Sequence, residues 1–192
     1  MKLKLLIILT ITFFVTGQLS AQKYKNTEST VVTKMYQGIE FSSEKTLLEN
    51  LSEANGFSVY AGILEDHSAN LFTENFIGTV FVITDTGFER MTEENDSFDY
   101  SEPTYRKFQL QYFTVPGRLD AHSIKKAVLK GGGSARYSTV EGSTLEIKMF
   151  GDTLFLYVSE KMKAKITTTD FYHKHGFFHI VDSPVVPPST KN

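Results

Sequence analysis

Three histidines have the spacing best suited to chemistry in this sequence: His173, His175 and His179 fall within seven residues. In an extended strand side chains alternate with period 2, so all three would share one face. Neutral imidazoles arranged in this way can hold zinc or copper. Residues four apart on a strand are ~13 Å apart, however, so only His173 and His175 can reach one ion. Two ligands leave a zinc shell unfilled, which favours structural roles over metal binding, and no metal or other cofactor is expected. Lys130-Gly131-Gly132-Gly133-Ser134 has a Lys before its glycines and strand-forming residues after them. A phosphate-binding loop needs Gly-Lys-Ser/Thr at the start of a helix, so this segment reads as a flexible turn. Neither a Gly-x-Ser-x-Gly elbow nor an HExxH helix occurs. Glu89, Glu93, Glu94 and Asp96 lie in a turn and a polar stretch, the usual setting of a solvated face. Cys is absent, which removes thiol nucleophiles, disulfides, Cys-ligated zinc and a lipid-modified cysteine. Composition and spacing leave no visible active site, and no catalytic residue is identified.

The elements that would position these residues follow from composition and pattern. With 192 residues, 41% hydrophobic, and 20 basic against 22 acidic side chains, the chain has an ordinary globular composition and fits one domain. Met1-Lys2-Leu3-Lys4 followed by the apolar run Leu5–Val15 reads as a secretory signal peptide, residues 1–21, with cleavage near Ala21. Its removal takes away Lys2 and Lys4 and moves the formal charge from −2 to −4, which gives no attraction for nucleic acid or an anionic membrane. No later run is long enough to span a membrane. The mature chain is therefore expected to be secreted, either periplasmic or at the cell surface. The short basic start and the lack of Cys fit a bacterial exported protein.

Residues 22–43 read as a leader, with Thr30–Thr33 as a potential edge strand. Ser42-Ser43 precedes a helix carrying Leu47, Leu48 and Leu51, and Phe57, Tyr60, Ile63 and Leu64 mark a second helix ending near His67. Gly78–Ile83 reads as a buried strand stopping at Asp85, taken as the cap of a helical turn with Phe88 and Met91. Thr92–Glu102 reads as an acidic loop. Pro103 opens a helix with Tyr105, Phe108 and Tyr112, and Asp120 opens one with Ile124 and Val128. Five strands follow, at Arg136–Val140, Thr144–Phe150, Thr153–Val158, Ala164–Thr168 and Gly176–Val181. Early helices and late strands imply an α+β fold with a mostly antiparallel sheet system. Asn50-Leu51-Ser52 and Asn95-Asp96-Ser97 are sequons.

Three blocks in order then resemble a fasciclin domain. Thr79–Phe88 resembles the family's first block, with Thr79, Asp85 and Phe88. Leu110–Gly117, with Tyr112 and Gly117, resembles its Tyr-His block. His175–Asp182, with Gly176, His179 and Asp182, resembles its final block. Ile83, Phe113 and His175 depart from the family's usual Pro, His and Asn. The resemblance spans residues 44–187 and leaves 188–192 as a tail. It implies an α+β fold, a two-sheet β wedge with several short helices. It also implies a non-catalytic adhesion module whose partners are extracellular proteins or polysaccharides, and a monomer is expected. Asp170 and Phe171 match the Asp-aliphatic position that contributes to partner recognition in some members. The other readings are a small-ligand-binding protein and a metal-dependent protein using His173 and His175.

Overall fold

The computed structural model describes residues 30–94 and 99–186. The expected signal peptide at 1–21, residues 22–29 of the leader, the Asn95 sequon, Asp96 and the tail at 188–192 lie outside the described residues.

The chain first forms a hairpin, β1 (Thr33–Tyr36) and β2 (Ile39–Ser42), joined by Gln37 and Gly38 with φ of 49° and 83°. Two consecutive left-handed residues give the twist that a two-residue hairpin needs. Thr30–Thr33 is thus mostly the approach to a hairpin. Phe41 and Tyr36 carry it onto the core, so the packed unit starts ahead of Glu44.

Helix starts are set by side chains that satisfy free backbone N–H groups. α1 (Leu47–Ser52) opens on a Thr46–Glu49 capping box rather than on Ser42-Ser43. Asn50 on this helix is 1% exposed and bonds the Ser42 backbone in both directions. That sequon is therefore closed to modification in the folded chain.

α2 (Ser58–His67) has no capping side chain of its own at Phe57. It leads through a 3-10 turn, Ser68–Asn70, to β3 (Gly78–Ile83) and α3 (Asp85–Glu94). Thr84, not Asp85, caps α3, since its Oγ1 accepts the Gly87 N–H at 3.2 Å. The acidic run Thr92–Glu94 continues this helix instead of starting a loop. α4 (Pro103–Tyr112) has Glu102 as its cap and Pro103 in its first turn. After the short β4 (Thr114–Pro116), α5 (Ala121–Lys130) starts behind Asp120 and ends at Gly131.

β5 (Ser134–Ser138), β6 (Thr144–Phe150), β7 (Thr153–Tyr157), β8 (Lys163–His173) and β9 (Gly176–Val181) complete the fold. Seven strands join in the order β4-β3-β9-β8-β7-β6-β5, and every pair is antiparallel except β3 with β9. β8 is longer than its aliphatic pattern implies and serves two arms. Residues 163–165 pair with β7, and residues from Ile166 to His173 pair with β9 through two irregularities in register. Bulges of this kind let one strand turn a corner between two sheets, which produces the wedge. β3 and β9 are buried on both faces, so the core lies along them and under α1, α2 and α4.

Candidate functional site

The resemblance residues come together as a brace around one loop. Residues 117–121 lead into α5, and their backbone groups are claimed by side chains from three strands. Thr79 Oγ1 donates to the Gly117 carbonyl at 2.8 Å and accepts the Leu119 N–H at 2.9 Å. His179 Nδ1 accepts the Asp170 N–H at 3.0 Å, which makes Nε2 the protonated nitrogen, donating to the Leu119 carbonyl at 2.7 Å. Asp170 Oδ1 accepts the Ala121 N–H at 2.7 Å. Burial lowers the His179 pKa, so the ring is neutral and dedicated to this brace.

The remaining resemblance residues are also structural. Asp85 reaches back to the bare start of α2, where it accepts Ser58 N–H at 3.0 Å, Ser58 Oγ–H at 2.8 Å and Val59 N–H at 2.9 Å. Asp182 accepts the Lys165 N–H at 2.7 Å and extends the β8–β9 pairing. Phe88 and Tyr112 are core, and burial, with Glu141 second, pushes the Tyr112 pKa up to about 12. Gly117 has a φ of 99° in the turn after β4. Gly176 has a φ of 134°, and a Cβ there would sit 2.0 Å from the Gly78 carbonyl oxygen across the parallel pair.

Asp170 and Phe171 do not form an exposed contact pair. Phe171 is fully buried, ringed by Tyr36, Phe41 and Phe178, and covered from outside by Lys34, whose Nζ lies 4.8 Å from the ring. Asp170 is half-buried, has a φ of 61° and is occupied by α5. The left-handed residue after Thr169 lets β8 turn its corner, and the same corner drives Phe171 inward.

The three histidines do not share one strand face either, because the chain reverses at Lys174-His175 between β8 and β9. His173 and His175 stay close, with ring centroids 6.2 Å apart and Phe72 against both. His173 is 3% exposed, and burial, then the neighbouring His175, depress its pKa to about 3. Its Nδ1 accepts the His175 N–H at 3.3 Å and its Nε2 is buried without a partner. Among the described residues, no three His, Asp or Glu side chains are placed to hold a metal ion. The cleft between His67, Leu71, Lys107 and Gln111 is about 250 Å³, and that beside Met91, Lys161 and Pro184 about 290 Å³. Both are below the roughly 300–1,000 Å³ of small-molecule pockets.

The feature that sequence reasoning missed is the outer face of the β5–β8 arm. Cross-strand register places Ser134, Lys148, Phe155 and Lys165 in one row, and Arg136, Glu146, Tyr157 and Lys163 in the next. Phe150 adds a third ring, 41% exposed, with centroids 5.5 Å from Phe155 and 6.2 Å from Tyr157. Lys148 Nζ lies 3.4 Å from the centre of the Tyr157 ring, and Lys163 Nζ 5.1 Å from that of Phe150. Glu160 accepts from Lys163 at 3.1 Å and from the Tyr157 hydroxyl at 3.0 Å. The Lys163 hydrogen bond is the main reason the Glu160 pKa is lowered. Arg136 lies 3.7 Å from Glu146. Three aromatic rings and four cations therefore share a solvent-facing sheet surface, on a chain whose net charge is −2. Such a surface can stack on a ligand and attract negative charge.

The fold has known counterparts. The sequence matches the fasciclin domain family over residues 55–187. Human periostin is 26% identical over 149 residues, covering 77% of this chain and 17% of periostin, so the chain spans about a sixth of that relative. A solved FAS1 domain pair from the insect cell adhesion molecule Fasciclin I superposes with a TM-score of 0.62 at 13% identity. That superposition covers 81% of this chain and 66% of the pair. With the wedge, the loop brace and a family match over most of its length, this chain belongs to the fasciclin domain family.

Proposed function

We propose that the chain is an exported attachment module that binds an extracellular protein or polysaccharide through the outer face of β5–β8. The observation that carries this reading is the cluster of Phe150, Phe155, Tyr157, Lys148 and Lys165 on an exposed sheet surface. Membership of a family that includes an insect cell adhesion molecule supports an attachment role. The basic and apolar N-terminus supports export, and no described helix is long and apolar enough to cross a membrane. The module acts as a monomer and without catalysis. Asp170 and Phe171 serve the fold, by bracing the start of α5 and filling the core.

The test is retention of beads coated with the protein on cell surfaces and matrix preparations, compared with a Phe155→Ala/Tyr157→Ala variant. Both rings are on the solvent side of the interior strand β7, so the variant keeps its cooperative melt. Selective retention that disappears in the variant supports the reading. Retention equal in both sinks it.

A further inference from the structure

We propose that the ligand of the β5–β8 face is an acidic polysaccharide, an inference that rests on this face being the attachment surface. β6 and β7 are interior strands, paired on both sides, so their backbone groups are already engaged. A peptide strand extending the sheet would need an unpaired edge, and the middle of this face offers none. Recognition there has only ring faces, cations and hydroxyls to work with.

The slightly positive C–H face of a pyranose ring suits the negative face of an aromatic ring, and Phe150 on β6 lies 5.5 Å from Phe155 and 6.2 Å from Tyr157 on the neighbouring β7. The cations flank those rings by register. Phe155 lies between Lys148 and Lys165, and Tyr157 has Lys163 beside it. A chain of sugar rings carrying carboxylate or sulfate groups meets both features at once. A neutral glycan would leave the lysines unused.

The charge arithmetic agrees. Arg136, Lys148, Lys163 and Lys165 face Glu146 and Glu160, and those two carboxylates are drawn to Arg136 and Lys163. Lys148 rests on a ring rather than a carboxylate, and Lys165 makes no side-chain ion pair among the described residues. Lys165 is thereby open to an acidic group on a ligand, and Lys148, held over the Tyr157 ring, presents a second cation beside it. Thr144 on β6 and Thr153 on β7 keep the phase of Lys148 and Phe155 and supply hydroxyls toward the same side.

The experiment is calorimetric titration of the whole chain with heparin, polygalacturonate and dextran of similar length, at low and at physiological salt. Binding is expected to heparin or polygalacturonate and not to dextran, to weaken with salt, and to fall roughly tenfold or more in Lys148→Ala/Lys165→Ala. The melting temperature of that variant is expected to match the parent, since neither side chain is buried. Dextran binding as strong as the acidic polymers, or acidic binding unchanged in the variant, overturns the inference. If no acidic polymer binds while Phe155→Ala/Tyr157→Ala still abolishes bead retention, the ligand class is wrong and the attachment face stands. If neither variant changes any binding, both readings fall.

Discussion

Replacing Asp85 with Ala probes an interaction that spans two helices. α2 begins at Ser58 behind Phe57, which contributes no capping side chain, so the first free N–H groups depend on a carboxylate 27 residues away. Asp85→Ala removes three hydrogen bonds to one charged acceptor: two from backbone donors and one from the Ser58 hydroxyl. Bonds to charged acceptors contribute about 1.5–3 kcal/mol each in isolation. Water replaces part of that at the Ser58 N–H, which is exposed, and less at the half-buried Val59 N–H. Losing a helix cap typically costs about 0.5–2 kcal/mol, so about 2 kcal/mol is expected here. For a domain of this size that lowers the melting temperature by roughly 4–8 °C. A double-mutant cycle with Ser58→Ala isolates the contact. Ser58→Ala is expected to cost about 1 kcal/mol in the parent and close to nothing beside Asp85→Ala. Thermal melts at neutral pH measure all four proteins. An Asp85→Ala shift under about 2 °C, or the same Ser58→Ala cost in both backgrounds, would refute the argument.

Gly176→Ala is expected to disrupt the β3–β9 pair, because its Cβ would overlap the Gly78 carbonyl; a loss above about 3 kcal/mol should appear as a melting temperature lowered by more than about 6 °C. Phe171→Ala leaves a cavity between Phe41 and Phe178 and is expected to cost about 3–5 kcal/mol in chemical denaturation, while binding per folded molecule stays at the parent level. His173 has a folded pKa below its unfolded value of about 6.5, so its contribution to stability is fully present above that pH and is lost as pH falls toward about 3. Between pH 7 and pH 5 it removes about 2 kcal/mol, and urea titrations of His173→Phe should show that much less acid sensitivity.

Helix existence was legible because the apolar spacing and punctuation were strong. Pro103 and Asp120 mark their helices as expected, and Gly131 ends the second. The cap assignments at α1 and α3 were not, because Ser42-Ser43 and Asp85 are each good caps by type. Only the fold shows that Asp85 serves another helix. The length of β8 was hidden for a different reason. Thr167, Thr168, Thr169 and Asp170 interrupt its alternation at the bulged corner, where pairing switches from β7 to β9. The candidate face did leave a signal. Along β6 and β7 the aliphatic residues Leu145, Ile147, Leu154 and Leu156 keep one phase and are buried. Phe150, Phe155 and Tyr157 fall in the opposite phase with Lys148, an aromatic run on the side a half-buried strand gives to water. Which neighbours completed that side depended on register, and register is a property of pairing across strands.

The parallel partnership of β3 with β9 bears on how the chain is made. Gly78–Ile83 emerges about a hundred residues before its partner, and until Gly176–Val181 is synthesised one whole edge of an apolar strand stays open. No N-terminal portion can close this core on its own. Folding of this core is therefore a late event that waits for β9. The same delay keeps the nascent polypeptide in a threadable state and leaves it open to association with other unfinished chains in the meantime.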